Sequence, residues 1–225
     1  MAIYNKDSRL SEVLLSNPSL IPVVNRLGVK LGVGDKSIGE VCDIHNLDTI
    51  FFLSIINTFV DEEYFPVNPS SVFTLDKTID YLQKTGDFYL YVQLPNIERH
   101  FMGLIQRSGK NNNLAHLLGF YNEMKKQLEE SLKFEKEILF PKLLKREMVE
   151  VSHSRLLEVN FDVEEKLQDL LTFFVVHLYG EYDRNLCMGV ISAIFSLHKD
   201  IDQNNRIRTR ILYPLIESIA DKNLK

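Results

Sequence analysis

Several things are scarce in this sequence, and each shortage narrows what the protein can do. Cysteine occurs twice, as Cys42 and Cys187, far apart and with no Cys-x-x-Cys. The expectation is two reduced structural thiols in a cytoplasmic protein. No apolar run reaches about 18 residues, so nothing in the sequence is expected to span a membrane. Met1-Ala-Ile-Tyr-Asn-Lys6 leads into no apolar core, so no signal peptide is expected. Positive charge is not in excess: 26 basic residues against 31 acidic ones leave a net charge of −5. Nucleic acid is therefore not expected as the main ligand, because phosphate binding needs a basic face. Strand-like alternation is missing, and no internal repeat stands out. Gly28, Gly32 and Gly34 do not precede a lysine-serine pair at phosphate-loop spacing. No Ser/His/Asp or Cys/His set is recognisable, so no catalytic residues are assigned.

Helical periodicity is what the chain does have. Its 225 residues, 45% hydrophobic and 25% charged, are ordinary for a globular protein and allow one large domain or a small one plus a medium one. Residues 7–60 read as short helices, punctuated by Pro18 and Gly28. Ser37 followed by Glu40 reads as a capping box. Asp61-Glu-Glu-Tyr-Phe-Pro-Val-Asn-Pro69 reads as a linker, which places a small helical domain at 1–67 and a second domain at 68–225. Four long helical patterns follow, over about 75–107, 114–147, 149–179 and 183–220, with Pro95 kinking the first and Gly180 ending the third. Long helices joined by short turns predict an all-α protein whose second domain is an antiparallel four-helix bundle.

The second pattern contains Ser131-Leu-Lys-Phe-Glu135-Lys-Glu-Ile-Leu-Phe-Pro141. Leu128, Leu132, Glu135 and Leu139 share one stripe, so a carboxylate lies on the inward face. This stretch resembles the iron-site helix of hemerythrin-like proteins, in particular the family that repairs iron-sulfur centres, which typically reads His-Met-x-x-Glu-Glu-x-x-x-Phe-Pro. The resemblance extends over most of residues 10–220. Thr85-Gly86-Asp87-Phe-Tyr-Leu90 and Leu94-Pro95 are similar to Thr-His-Asp-x-x-Leu and Leu-Pro on the first helix. Glu164-Glu165-Lys166-Leu167 matches a motif of the third helix and puts Asn160 at its ligand position. Asn204-Asn205-Arg206-Ile207-Arg208-Thr209-Arg210-Ile211-Leu212-Tyr213-Pro214 resembles His-x-Arg-Ile-Glu-x-x-Ile-Leu-x-Pro on the fourth. Before the bundle, Gly28 to Cys42 resembles the family's small amino-terminal domain, with Gly32 and Val33 in place of a cysteine pair.

The resemblance implies a hemerythrin-like bundle and, for an intact member, two iron ions held by histidines and carboxylates. Here Gly86, Ser131, Asn160 and Asn204 stand where histidines are expected, and Arg208 stands for a glutamate; Glu135 alone is kept. No metal or other cofactor is therefore expected, and these six positions are a vestigial site. Arg208 is expected to replace the metal's charge by pairing with Glu135; the alternative turns it outward with Arg206 and Arg210 as a solvated basic patch. Should metal bind, Glu135, His153 and His198 are the fallback ligands. Three readings follow. The first is a non-catalytic, metal-free bundle acting as a regulatory or protein-interaction module. The second is a di-iron protein of iron-sulfur centre repair, or a sensor of oxygen, nitric oxide or peroxide, with rearranged ligands. The third is small-molecule binding where the metals were. A homodimer or a protein partner is plausible, because the amino-terminal domain is too small to bury much alone.

Overall fold

A computed structural model describes residues 3–64, 72–110, 112–147 and 153–217, with side chains in the last stretch from residue 162 onward. The boundary expected near residue 68 lies outside the described residues. Among those described, the protein is all-helical and holds no strand, only an isolated backbone bridge between Arg9 and Ser37. Short helices α1 (Leu10–Ser16), α2 (Leu20–Arg26), α3 (Ile38–His45) and α4 (Thr49–Val60) come first. Then come α5 (Leu75–Phe88), α6 (Leu94–Arg107), α7 (Leu114–Phe134), α8 (Phe140–Leu144), α9 (His153–Thr172) and α10 (Arg184–Ile207). Wide π turns continue four of these helices: Tyr89–Gln93, Glu135–Leu139, Phe173–His177 and Arg208–Leu212. Residues 213–217 carry the last helix on. The chain divides into two compact units, Met1–Thr85 with Arg206–Lys225, and Gly86–Asn205.

In the first unit the local signals act as their chemistry dictates. The Ser37 hydroxyl accepts from the Glu40 amide at 3.2 Å and Glu40 accepts from the Ser37 amide at 2.8 Å, closing the capping box. Helix α4 packs against α2 and α3, burying Phe52, Ile55, Ile56 and Phe59. Asn57 on α4 fastens the amino terminus: its Oδ1 accepts from the Ile3 and Tyr4 amides, and its Nδ2 donates to the Tyr4 carbonyl. Gly32 sits at φ +91°, where a cysteine, as the amino-terminal resemblance would put there, is strained.

Asp48 caps α4, accepting from the Ile50 and Phe51 amides, both at 3.0 Å. The Lys77 ammonium beside it, more than those amides, holds its carboxyl below the usual carboxylate range, against the opposing effect of partial burial. A depressed carboxyl contributes stability above its unfolded pKa and loses it as pH falls through the folded one. Asp48→Ala should therefore cost about 1 kcal/mol at neutral pH. The gap from wild type should shrink below about pH 4. Urea denaturation of both proteins between pH 2.5 and pH 7 checks both expectations.

Among its described residues the second unit buries an apolar core to which four helical runs contribute: Leu94, Ile97, Phe101 and Leu104; Leu117, Tyr121, Met124, Leu128 and Leu132; Val163, Leu167, Leu170 and Phe174; Val190, Ile194, Leu197 and Ile201. Their spacings of three, four and seven are those of one helix face. At one end the two loops are stitched together. The Gly109 amide donates to the Glu181 carbonyl at 3.1 Å, and Asn113 donates from Nδ2 to the His177 carbonyl at 3.0 Å and accepts the Tyr179 amide. The His177 carbonyl belongs to the π turn that ends the third run, so Asn113 satisfies a group the helix itself leaves open.

Candidate functional site

Three of the four π turns have one cause. A proline inside an α-helix lacks an N–H, and its ring collides with the carbonyl four residues back. Here the residue before each proline donates five residues back instead: Leu94 to the Tyr89 carbonyl, Phe140 to Glu135 and Tyr213 to Arg208. Pro95, Pro141 and Pro214 follow directly. The wider turn adds one residue and clears the ring. The fourth π turn, Phe173–His177, precedes no proline and ends its helix, with Leu178 already extended.

This common register exposes a repeat that apolar patterning hides. Ten, six and two residues before the proline stand Thr85, Tyr89 and Gln93 in one helix, Ser131, Glu135 and Leu139 in the second, and Asn204, Arg208 and Leu212 in the third. All nine are buried. Seven are polar. The vestigial positions on the second and fourth helices are thus two copies of one pattern, and Thr85 with Tyr89 is another copy on the first. Counted from its proline, Thr85, one residue before Gly86, corresponds to Ser131 and Asn204.

Each expected position has a definite place. Gly86 is buried, and a Cβ there would meet a Leu132 methyl at 3.2 Å, so leucine has taken that space. Ser131 is buried within α7. Glu135 opens its π turn and is 2% exposed. Asn204, wholly buried, donates from Nδ2 to the Tyr89 hydroxyl at 2.9 Å and to the Asp200 carbonyl at 2.7 Å. Because that carbonyl only accepts, the amide's orientation is fixed. Its Oδ1 has no hydrogen-bond partner. Thr85 makes the same backward bond, from Oγ1 to the Tyr81 carbonyl four residues earlier, at 2.9 Å. Neighbouring Asn205 reaches Glu164, in the motif of the third helix, at 2.9 Å. The side chains of Asn160 and His153 lie outside the described residues. His198 is half-buried on α10.

Arg208 is 3% exposed, which overturns its placement in a solvated patch; Arg210 is exposed and donates to the Glu62 carbonyl at 2.7 Å, and Arg206 meets the Glu62 carboxylate at 3.5 Å. Glu135 belongs to the second unit and Arg208 to the first, and neither is free of interactions. A buried carboxylate and a buried guanidinium are each too costly to leave uncompensated. Among the described residues, no three His, Cys, Asp or Glu side chains gather as a metal ion requires.

Sequence reading missed Tyr89, the aromatic counterpart of Glu135 and Arg208. The signal for it was present: a residue six before the proline of a Leu-Pro, Phe-Pro or Tyr-Pro step. A second buried arginine also escaped notice. Arg26 donates to the Tyr81 hydroxyl at 3.3 Å, with its guanidinium 6.0 Å from the Phe59 ring centre and 5.8 Å from that of Tyr81.

The thiols are poorly suited to chemistry. Burial pushes the Cys42 thiol up to about 11, against a Thr49 hydrogen bond acting the other way, and burial raises Cys187 too. A raised thiol stays protonated at pH 8, and the thiolate is the nucleophile. Native protein should therefore react with iodoacetamide at least about a hundredfold more slowly than protein unfolded in urea. Mass spectrometry of timed samples reads this directly, and fast labelling of Cys42 in the native state would show a reactive thiol. No protein-family model, no curated protein and no solved structure matches the chain.

Proposed function

We propose that this chain is a non-catalytic, metal-free helical bundle of hemerythrin-like type that acts as a regulatory or protein-interaction module. The observation that carries this reading is the way Asn204 is used. Its amide nitrogen is committed to the Tyr89 hydroxyl and the Asp200 carbonyl, so the residue standing where a ligand is expected works as a structural tie. Three others agree with it. Leu132 closes on Gly86 where an imidazole would project. Ser131 offers a hydroxyl only. Arg208, standing for a glutamate of the family, offers a permanent positive charge and no lone pair for a metal. These residues do not fit a pair of iron ions, which favour imidazole and carboxylate. The methyl at Gly86 also weakens the case for a small-molecule cavity there.

For an interaction role, the support is an apolar end of the second unit. Val175 and Val176, in the π turn without a proline, are 76% and 63% exposed, and Tyr179 in the adjoining loop is 58% exposed. Apolar side chains presented together in this way mark surfaces that other proteins cover. A second copy of the chain is the first partner to look for.

Metal titration tests the chemical half of the proposal. Anything that binds only the folded state raises the unfolding midpoint. Ferrous iron, manganese and zinc, each added anaerobically, should leave the thermal midpoint unmoved. A rise with ferrous iron or manganese would point to the rearranged-ligand reading and to Glu135, His153 and His198.

A further inference from the structure

We infer that Pro95, Pro141 and Pro214 are positioning residues: each proline, through the wide turn it forces, keeps a buried row aligned along its helix. Four residues advance an ordinary helix by about 400°, so a row stepping by four drifts about 40° per step. Thr85–Tyr89–Gln93, Ser131–Glu135–Leu139 and Asn204–Arg208–Leu212 each step by four, twice, and stay buried at every position. A π turn fits more residues into each turn and cancels that drift. It lies at the same place in all three rows, opening on the middle residue and closing on the residue before the proline. The prolines thus do more than bend helices. They hold Gln93, Leu139 and Leu212, at the far end of each wide turn, in angular register with the row that precedes it.

The device is local, since every hydrogen bond that defines it lies within one helix. Metal or no metal, the same prolines set the same turn. The fourth π turn, Phe173–His177, precedes no proline and carries no such row: Val175 and Val176 are exposed and the helix ends there.

Pro141→Ala tests this in two backgrounds. Removing a proline from a helix ordinarily raises stability. In wild type, Pro141→Ala should instead lower the thermal midpoint by about 3 °C or more, because Leu139 is carried out of register with Ser131 and Glu135. In a Leu139→Ala background, where the displaced side chain is already gone, the same change should raise the midpoint. Equal increases in both backgrounds would overturn the inference. A second readout is the hydrogen bond itself. In a crystal structure of Pro141→Ala, the Phe140 amide should donate to the Lys136 carbonyl, four residues back. If it still donates to Glu135, the proline is not what sets the turn. Pro95→Ala, with Leu94 moving from the Tyr89 to the Leu90 carbonyl, gives the same test in another helix if Pro141→Ala does not fold. There, too, retention of the Tyr89 bond would overturn the inference.

Discussion

Replacing Glu135 with leucine is expected to destabilise the protein by about 3 kcal/mol, even though it adds an apolar side chain to the interior. The reason lies in what surrounds the carboxylate. Glu135 is 2% exposed and engaged in interactions. Taking away the acid strands the groups that face it, and a buried polar or charged group left alone costs about 1–3 kcal/mol or more. Leucine recovers part of that through its apolar burial, which is why the loss stays near 3 rather than 5. Glu135→Gln should cost less, because the amide keeps the shape and one accepting oxygen. Urea unfolding of the three proteins at constant m-value gives the comparison. A leucine variant as stable as wild type would show that the acid has no partner that matters, and the account of a polar set replacing a metal site would fail.

A larger loss, about 4 kcal/mol, is expected for Phe101→Ala. Phe101 is fully buried in the apolar core of the second unit. Its ring centre lies 5.7 Å from that of Tyr121 and 5.4 Å from that of Phe174, so one side chain joins three helical runs. Alanine leaves a cavity that rigid helices on all sides cannot close. Aromatic pairs add about 0.5–1.5 kcal/mol beyond area burial, and both pairs go. Phe101→Leu should retain more than half of the lost stability, since it keeps much of the volume. The same urea titration measures it; a loss under about 1 kcal/mol for the alanine variant would mean that the core is far looser than native packing allows.

Helices are legible in this sequence because burial on one face writes a period near 3.6. That period located the four long runs, and Ser37 with Glu40 located the start of α3. Pro95 was legible as a kink. What it and the other two prolines do was not, since a π turn differs from an α turn by one hydrogen bond. The trace it leaves is a repeated step of four, as in Ser131, Glu135 and Leu139, and apolar patterning averages over it. Polar members hid the trace further. Thr85, Asn204 and Arg208 do not register in an apolar count, yet they are as buried as the leucines around them. This is how a three-copy repeat passed for no repeat. The space beside Gly86 was invisible for another reason: a missing side chain in one helix says nothing about which neighbour fills it, and Leu132 comes from another helix. Arg208 was ambiguous because arginine in a basic cluster reads as surface, and only three-dimensional packing distinguishes it from Arg210.

The most direct test of the central claim is iron content. The protein would be purified after iron-supplemented expression and again after anaerobic loading with ferrous iron, then measured by inductively coupled plasma mass spectrometry. The metal-free reading predicts less than about a tenth of an iron per chain in both preparations. Roughly two irons per chain would contradict it and establish a di-iron centre built from ligands other than the expected ones.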